Sequence, residues 1–235
     1  MINREPFKLL WVTAVHNLLL CAESLFMFVV GIYVVWLKYN NEPLSELFCT
    51  NSRATTDGLF SWIMYMYYLS KFPELLDTVI LVLKKKNVIF LHWYHHAIVM
   101  LMVWAWMEFN IPFGIFGLIL NTGIHVLMYW YYFASSFGWN VWYKKYITTA
   151  QIIQFILSFV MSIPYIYYAK VNNCGGWNAY YFSMAVSGSF LMLFINFYRT
   201  SYGKKPKAEK KDPKETKKNY SPSASPRAKR TPKKK

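Results

Sequence analysis

The chain has 235 residues, of which 55% are hydrophobic, 20% aromatic and only 16% charged, an apolar share above that of ordinary soluble domains and a poor fit to a water-soluble enzyme. The formal charge of +15 suggests a nucleic-acid partner, but 14 of the 26 Lys and Arg stand between Lys204 and Lys235 beside three acids, so 11 of the 15 net charges belong to that tail. The body is nearly neutral, which removes nucleic acid as a partner and leaves an all-α integral membrane protein.

In chain order, six stretches are long and apolar enough to cross a hydrocarbon core: Leu9 to Trp36, Gly58 to Leu83, Val88 to Met107, Pro112 to Phe133, Ile147 to Ala169 and Ala179 to Tyr198. A core of roughly 30 Å takes about 20 residues of helix. Their apolar character is continuous, whereas a barrel strand alternates, so a polytopic helix bundle or barrel is expected. The first stretch is too long and aromatic for a cleavable leader and reads as a span. Lys and Arg near span ends stay cytoplasmic. Arg4, Lys8, Lys84, Lys85, Lys86, Lys144, Lys145 and Arg199 fall on one side, against Lys38, Arg53 and Lys170 on the other, which puts both termini in the cytoplasm. The expected organisation is a six-span membrane domain over residues 1–203 and a disordered Lys-rich cytoplasmic tail over 204–235, too polar to bury a core.

Charged groups inside a bilayer cost on the order of 2.5 to 3.5 kcal/mol each and tend to mark sites. The second span carries Lys71-Phe-Pro73-Glu74-Leu-Leu-Asp77-Thr78. At about 100° per residue, Lys71, Glu74 and Thr78 share one stripe with Asp77 beside it, and Pro73 is expected to disturb the helix. The third span opens with Phe90-Leu91-His92-Trp93-Tyr94-His95-His96, placing three imidazoles on one helical face. The fourth carries Asn121, His125, Tyr129 and Tyr132 at steps of three and four residues, again one face. The fifth opens with Thr148, Gln151 and Gln154, which suit either a substrate or interhelical hydrogen bonds. His16 and Glu23 in the first span are seven apart, a local pair to which no role attaches. Cys49 and Cys174 fall in loops of the non-cytoplasmic side, where an oxidising lumen either joins them or leaves two thiols. Cys21, mid-span, reads as packing.

Imidazole clusters suit iron and zinc, but the chain's five histidines fall short of the several boxes of a di-iron lipid oxygenase. A single metal held by His92, His95, His96 or His125 stays open, but adjacent histidines serve equally well for metal-free proton transfer and nucleophilic attack, which is the favoured reading. A neutral imidazole can attack a thioester and release the thiolate of coenzyme A, leaving an acyl-imidazole. Lys84, Lys86 and Lys144 at the cytoplasmic mouth are placed to hold the carrier's phosphates, although the positive-inside bias alone puts lysines there. Two other readings stay open: a lipid or proton transporter relaying charge through Lys71, Glu74, Asp77 and the histidines, and a metal-dependent lipid oxygenase.

Four motifs, Lys71 to Thr78, His92-Trp-Tyr-His95-His96, Asn121-Thr-Gly-Ile-His125-Val-Leu-Met128-Tyr129-Trp-Tyr131-Tyr132 and Thr148-Thr-Ala-Gln151-Ile-Ile-Gln154, resemble in order and spacing the very-long-chain fatty acid elongases. The resemblance runs from about Asn3 to Tyr202. It implies condensation of a long-chain fatty acyl-CoA with malonyl-CoA to 3-ketoacyl-CoA, carbon dioxide and coenzyme A. It implies no cofactor, and a multi-pass protein among the lipids of the endoplasmic reticulum membrane. His95 is implied as the acceptor of the acyl group, His125 as its opposite number, and His92 and His96 as orienting and proton-exchanging groups. Lys71, Asp77 and Asn121 resemble the surrounding polar shell. Lys84, Lys86, Tyr131, Lys144, Thr148, Gln151 and Tyr202 resemble positions that hold the carrier and its pantetheine. Cys49 and Cys174 fall where family members can carry a lumenal disulfide. Implied partners are the reductases and dehydratase of the elongation cycle; a homo-oligomer, the acyl chain length and its unsaturation stay open. Family members usually have seven spans, and this chain matches the last six, implied to form the barrel around the acyl tunnel.

Overall fold

The structure, a computed structural model, describes residues 5–49 and 58–203; Arg4, Arg53 and the expected tail over 204–235 lie outside the described residues. The compact unit ends at Tyr202. Its described residues are all-α: α1 Leu10–Asn41, a 3-10 turn Leu44–Leu47, α2 Gly58–Glu74, α3 Leu76–Leu83, α4 Phe90–Glu108, α5 Gly114–Ser136, α6 Lys144–Val171 and α7 Trp177–Tyr202. Helices α1, α5, α6 and α7 are long and apolar enough to cross a membrane, which makes this a multi-pass membrane protein. Helix α4, with 19 residues, is diluted by its imidazoles, Tyr94 and Glu108.

The expected second span is present as two helices. Proline supplies no backbone donor and its ring opposes the preceding turn. Around Pro73 the helix stops at Glu74 and restarts at Leu76, bridged by the tighter bonds Leu75 N–H to Phe72 O and Thr78 N–H to Leu75 O.

The rods close on themselves. Helix α1 packs along α5, α5 on α6, α6 on α7, α7 on α4, α4 on α2, and α2 back on α1. The buried face of α1, Ala14, Asn17, Leu20, Ser24, Met27, Gly31, Val34 and Lys38, recurs every three or four residues, while Trp11, Val15, Leu19, Phe26, Val29 and Trp36 point outward as a lipid-facing side requires. Small residues let α1 and α5 approach: a Cβ on Gly31 would lie 2.9 Å from Leu118, and one on Gly123 2.9 Å from Phe28.

The two ends of the barrel differ. One carries the turn Lys84 to Lys86 and the start of α6 at Lys144. The other carries a disulfide between Cys49, after the 3-10 turn, and Cys174, in the α6–α7 turn, with Cα atoms 6.0 Å apart. Cys21 keeps its thiol and points it at the Val126 carbonyl at 3.4 Å.

Candidate active site

The break at Leu75 divides the polar stripe of the second span into two groups. Before it, Lys71 Nζ stands 2.5 Å from Glu74 Oε1, with both side chains at most 4% exposed. Two opposite charges this deep persist only as a pair. Lys71 also lies over the Tyr67 ring at 4.2 Å. Asn121 of α5 takes up the next link: its Oδ1 accepts from Tyr67 Oη at 2.8 Å and from Lys71 Nζ at 3.4 Å. That fixes the amide, so Asn121 Nδ2 donates to His125 Nε2 at 3.2 Å. His125 Nε2 is therefore the unprotonated nitrogen, and its Nδ1 faces Glu74 Oε1 at 3.5 Å.

After the break, Asp77 and Thr78 look elsewhere. Asp77 Oδ2 accepts from Tyr129 Oη at 3.0 Å, Asp77 Oδ1 meets His16 Nε2 of α1 at 2.9 Å, and Thr78 Oγ1 pairs with His92 Nε2 at 3.0 Å. On α4 the rings of His92 and His96 are 4.6 Å apart, those of His95 and His96 5.4 Å, and His95 packs on Phe190 at 5.1 Å. Among the described residues, no group of three or more His, Cys, Asp or Glu is arranged to hold a metal ion.

Two cavities meet at this cluster. The outer one, about 190 Å³, lies toward the lysine-rich end and is lined by Asp77, His92, His95, His96, Asn121, His125, Tyr129, Tyr131, Lys144, Thr148, Gln151 and Tyr202, among others. The inner one, about 40 Å³, is lined chiefly by Tyr67, Val99, Met102, Trp106, Phe113, Phe116, Gly117 and Phe190. His95, Asn121, Gln154 and Phe155 line both. From His95 to Trp106 the inner cavity follows α4 for about 16 Å. It is walled chiefly by aromatic and aliphatic side chains, with Tyr67, Ser158, Ser183 and Ser187 as its hydroxyls.

Of the residues expected at the site, the three box histidines, His125, Asn121 and Asp77 share the outer cavity, and Lys71 supports it from behind through Glu74 and Asn121. Tyr131, Lys144, Thr148, Gln151 and Tyr202 also line it, with Lys144 Nζ 6.0 Å from the Tyr131 ring centre. The structure does not bring Lys84 and Lys86 there. They lie at the end of α3, where Lys84 Nζ donates to Thr13 Oγ1 of α1 at 3.2 Å and Lys86 is exposed. His16 does not form a local pair with Glu23; its partner is Asp77. Glu74 belongs to the network although only its place in the stripe marked it, and the spacing of Tyr67, four residues before Lys71, was the available signal for that hydroxyl. Nothing local marks Gln154 and Phe155 as the junction of two cavities.

A barrel of membrane helices with an imidazole cluster between a vestibule that gathers Asp77, Lys144 and the histidines and an inner recess walled largely by aromatic and aliphatic side chains defines the class: an intramembrane enzyme site suited to an amphiphilic substrate. Residues 1–210 match the ELO family, described as the GNS1/SUR4 family, and the chain belongs to that family. It is 38% identical over 218 residues to fatty acid elongase A of Dictyostelium discoideum, covering 90% of this chain and 79% of that protein. Very long chain fatty acid elongase 5 of Tachysurus fulvidraco is 38% identical over 226 residues, covering 91% of this chain and 72% of the relative. The human protein of that name is 37% identical over 232 residues, covering 90% and 71%.

Proposed function

We propose that the chain is the condensing enzyme of two-carbon fatty acid elongation, joining a long-chain acyl-CoA to malonyl-CoA. The observation that carries this reading is the position of His95 in the walls of both cavities. A thioester carbonyl held at that junction has its acyl chain in the inner recess, among aromatic and aliphatic side chains, and its carrier in the vestibule that holds Lys144. An unprotonated His95 nitrogen attacks the carbonyl, the carbon–sulfur bond breaks, and coenzyme A leaves as thiolate and takes up a proton. Malonyl-CoA in the vacated vestibule then loses carbon dioxide, and the bond electrons become an enolate. Its carbon attacks the acyl-imidazole, and the carbon–nitrogen bond breaks to return the electron pair to His95. The products are 3-ketoacyl-CoA, carbon dioxide and coenzyme A.

Around His95, His125 orients the Asn121 amide, whose second N–H is a donor for the developing oxyanion, and the neighbouring imidazoles His92 and His96 exchange protons with the vestibule. Lys144, Tyr131, Thr148, Gln151 and Tyr202 hold the carrier. The chain's own groups suffice for this chemistry, so no cofactor is assigned. The lysine-rich end faces the cytosol, where both substrates are supplied, in the endoplasmic reticulum membrane, and the ketoacyl product passes to reductase and dehydratase partners. Incubation of the purified protein with radiolabelled malonyl-CoA and a panel of acyl-CoAs tests the reaction. Labelled 3-ketoacyl product is expected, and its absence at every chain length would overturn the proposal.

A further inference from the structure

His16 is a largely buried imidazole to which the condensation chemistry gives no part. It lines neither cavity, yet its ring touches the vestibule wall through Asp77. A carboxylate only accepts, so Nε2–H of His16 donates to Oδ1 at 2.9 Å while the Tyr129 hydroxyl donates to Oδ2 at 3.0 Å. Each Asp77 oxygen is thereby tied to a different helix, α1 and α5. The His16 and Asp77 side chains are only 12% and 14% exposed, which keeps these charge-assisted bonds from being screened by water.

Asp77 needs such anchors. It is the second residue of an eight-residue helix that restarts just after the break at Leu75, so its own element holds it less firmly than a residue in mid-span. We propose that His16 is a positioning residue for the condensation. It holds the Asp77 carboxylate toward Tyr129, and through Tyr129, whose ring meets His125 edge-on at 5.4 Å, it fixes the wall facing His95. This rests on the function proposed above. Without His16, one carboxylate oxygen is left without its donor in a low-dielectric wall. Asp77 then turns into the vestibule, releasing Tyr129 and with it His125. The carrier contacts on α6 are untouched, so the loss falls on turnover and not on substrate affinity.

Steady-state rates and thermal melting of the purified full chain test this. The set is the wild type, His16→Leu, His16→Gln, Asp77→Asn and the double variant His16→Leu/Asp77→Asn. Condensation by the wild type is read first, since its failure rejects the proposed reaction and leaves the variants nothing to report on. Given turnover, His16→Leu is expected to lower kcat roughly ten-fold or more, the size of a lost charge-assisted hydrogen bond, with KM for both substrates and the melting temperature unchanged. His16→Gln, whose amide N–H reaches the same oxygen, restores most of the rate, and the double variant is no slower than Asp77→Asn alone. Wild-type kcat in His16→Leu, equal losses in the Leu and Gln variants, or multiplying losses in the double variant would overturn the proposal. Should His16→Leu fail to fold, His16→Asn takes its place: its shorter amide does not span to Asp77. A slow Asn variant beside a fast Gln variant supports the positioning role, and equal rates reject it.

Discussion

The rings of His95 and His125 face each other from α4 and α5 with centres 6.4 Å apart and planes inclined by 49°. Their surroundings give them different work. His125 Nε2 is occupied by the Asn121 amide, whereas His95 borders both the vestibule and the apolar recess. His95→Ala is therefore expected to lower condensation by roughly a thousand-fold or more, as for loss of a covalent nucleophile, with an unchanged melting temperature. Intact-mass analysis after rapid quenching should find an acyl adduct on the wild type given acyl-CoA alone and none on His95→Ala. An adduct of equal yield on the variant would move the nucleophile elsewhere.

The pair Lys71 and Glu74 makes a second, opposite kind of prediction, because its members are buried and hold each other. Removing one partner strands a charge, a loss of about 3 to 5 kcal/mol for buried pairs, whereas replacing both by neutral side chains of similar size is often nearly neutral. Lys71→Met should thus melt well below the wild type in detergent, and Lys71→Met/Glu74→Gln should recover much of that stability. Activity should not recover with it, since Asn121 and His125 lose the groups that orient them. If Lys71→Met melts like the wild type, the pair is not a structural unit.

Which parts of this arrangement were legible beforehand follows from how local each signal is. The spans α1, α5, α6 and α7 were legible because hydropathy is continuous along them, and the disturbance at Pro73 because a missing donor acts within one turn. The shared faces of His92, His95 and His96, and of Asn121, His125 and Tyr129, follow from helical spacing alone. The closure of α1 onto α5 does not, since any apolar face can meet any other in lipid. The bond between His16 and Asp77 spans 61 positions and leaves no mark on either segment. Lys84 and Lys144 look alike as basic residues at a cytoplasmic boundary, and only the fold directs one to Thr13 and the other into the vestibule.

That difference is measurable. Lys144→Ala is expected to raise KM for acyl-CoA about ten-fold, the worth of one charge-assisted bond to phosphate, with little change in kcat. Lys84→Ala should leave KM close to the wild-type value. Added salt should raise the wild-type KM and narrow the gap to Lys144→Ala, because exposed charge pairs are screened over about 10 Å at 0.1 M. Equal KM effects from the two lysines would show that the carrier spreads over both.

At the opposite end, the disulfide joins Cys49 to Cys174 across a sequence separation of 125. In solution a native disulfide typically contributes about 2 to 5 kcal/mol by restricting the unfolded chain. Here the low end is expected, because unfolded membrane helices stay inserted and are already confined. Cys49→Ser/Cys174→Ser should lower the melting temperature and abolish the reductant-dependent gel shift while leaving condensation at permissive temperature intact. A loss of turnover without a loss of stability would mean that the disulfide end governs the chemistry directly.

The depth of the inner recess gives the last prediction. Trp106 is pinned by its indole N–H, which donates to Ser183 Oγ at 2.7 Å, and it packs directly over Gly117: a Cβ there would come within 2.6 Å of the Trp106 ring. Such an overlap cannot be absorbed in place, so Gly117→Ala must shift the indole, and the open side is the recess that Trp106 lines. The recess then shortens, and discrimination against longer acyl-CoAs should rise by about ten-fold per excluded methylene, the usual worth of one methylene in an apolar pocket. Trp106→Leu trims an indole that lines the recess and should act in reverse, extending the accepted chains at some cost in stability. Product profiling across acyl-CoA lengths reads both variants at once. Opposite shifts place the closed end of the acyl site at Trp106, and unchanged profiles in both would show that the chain runs elsewhere.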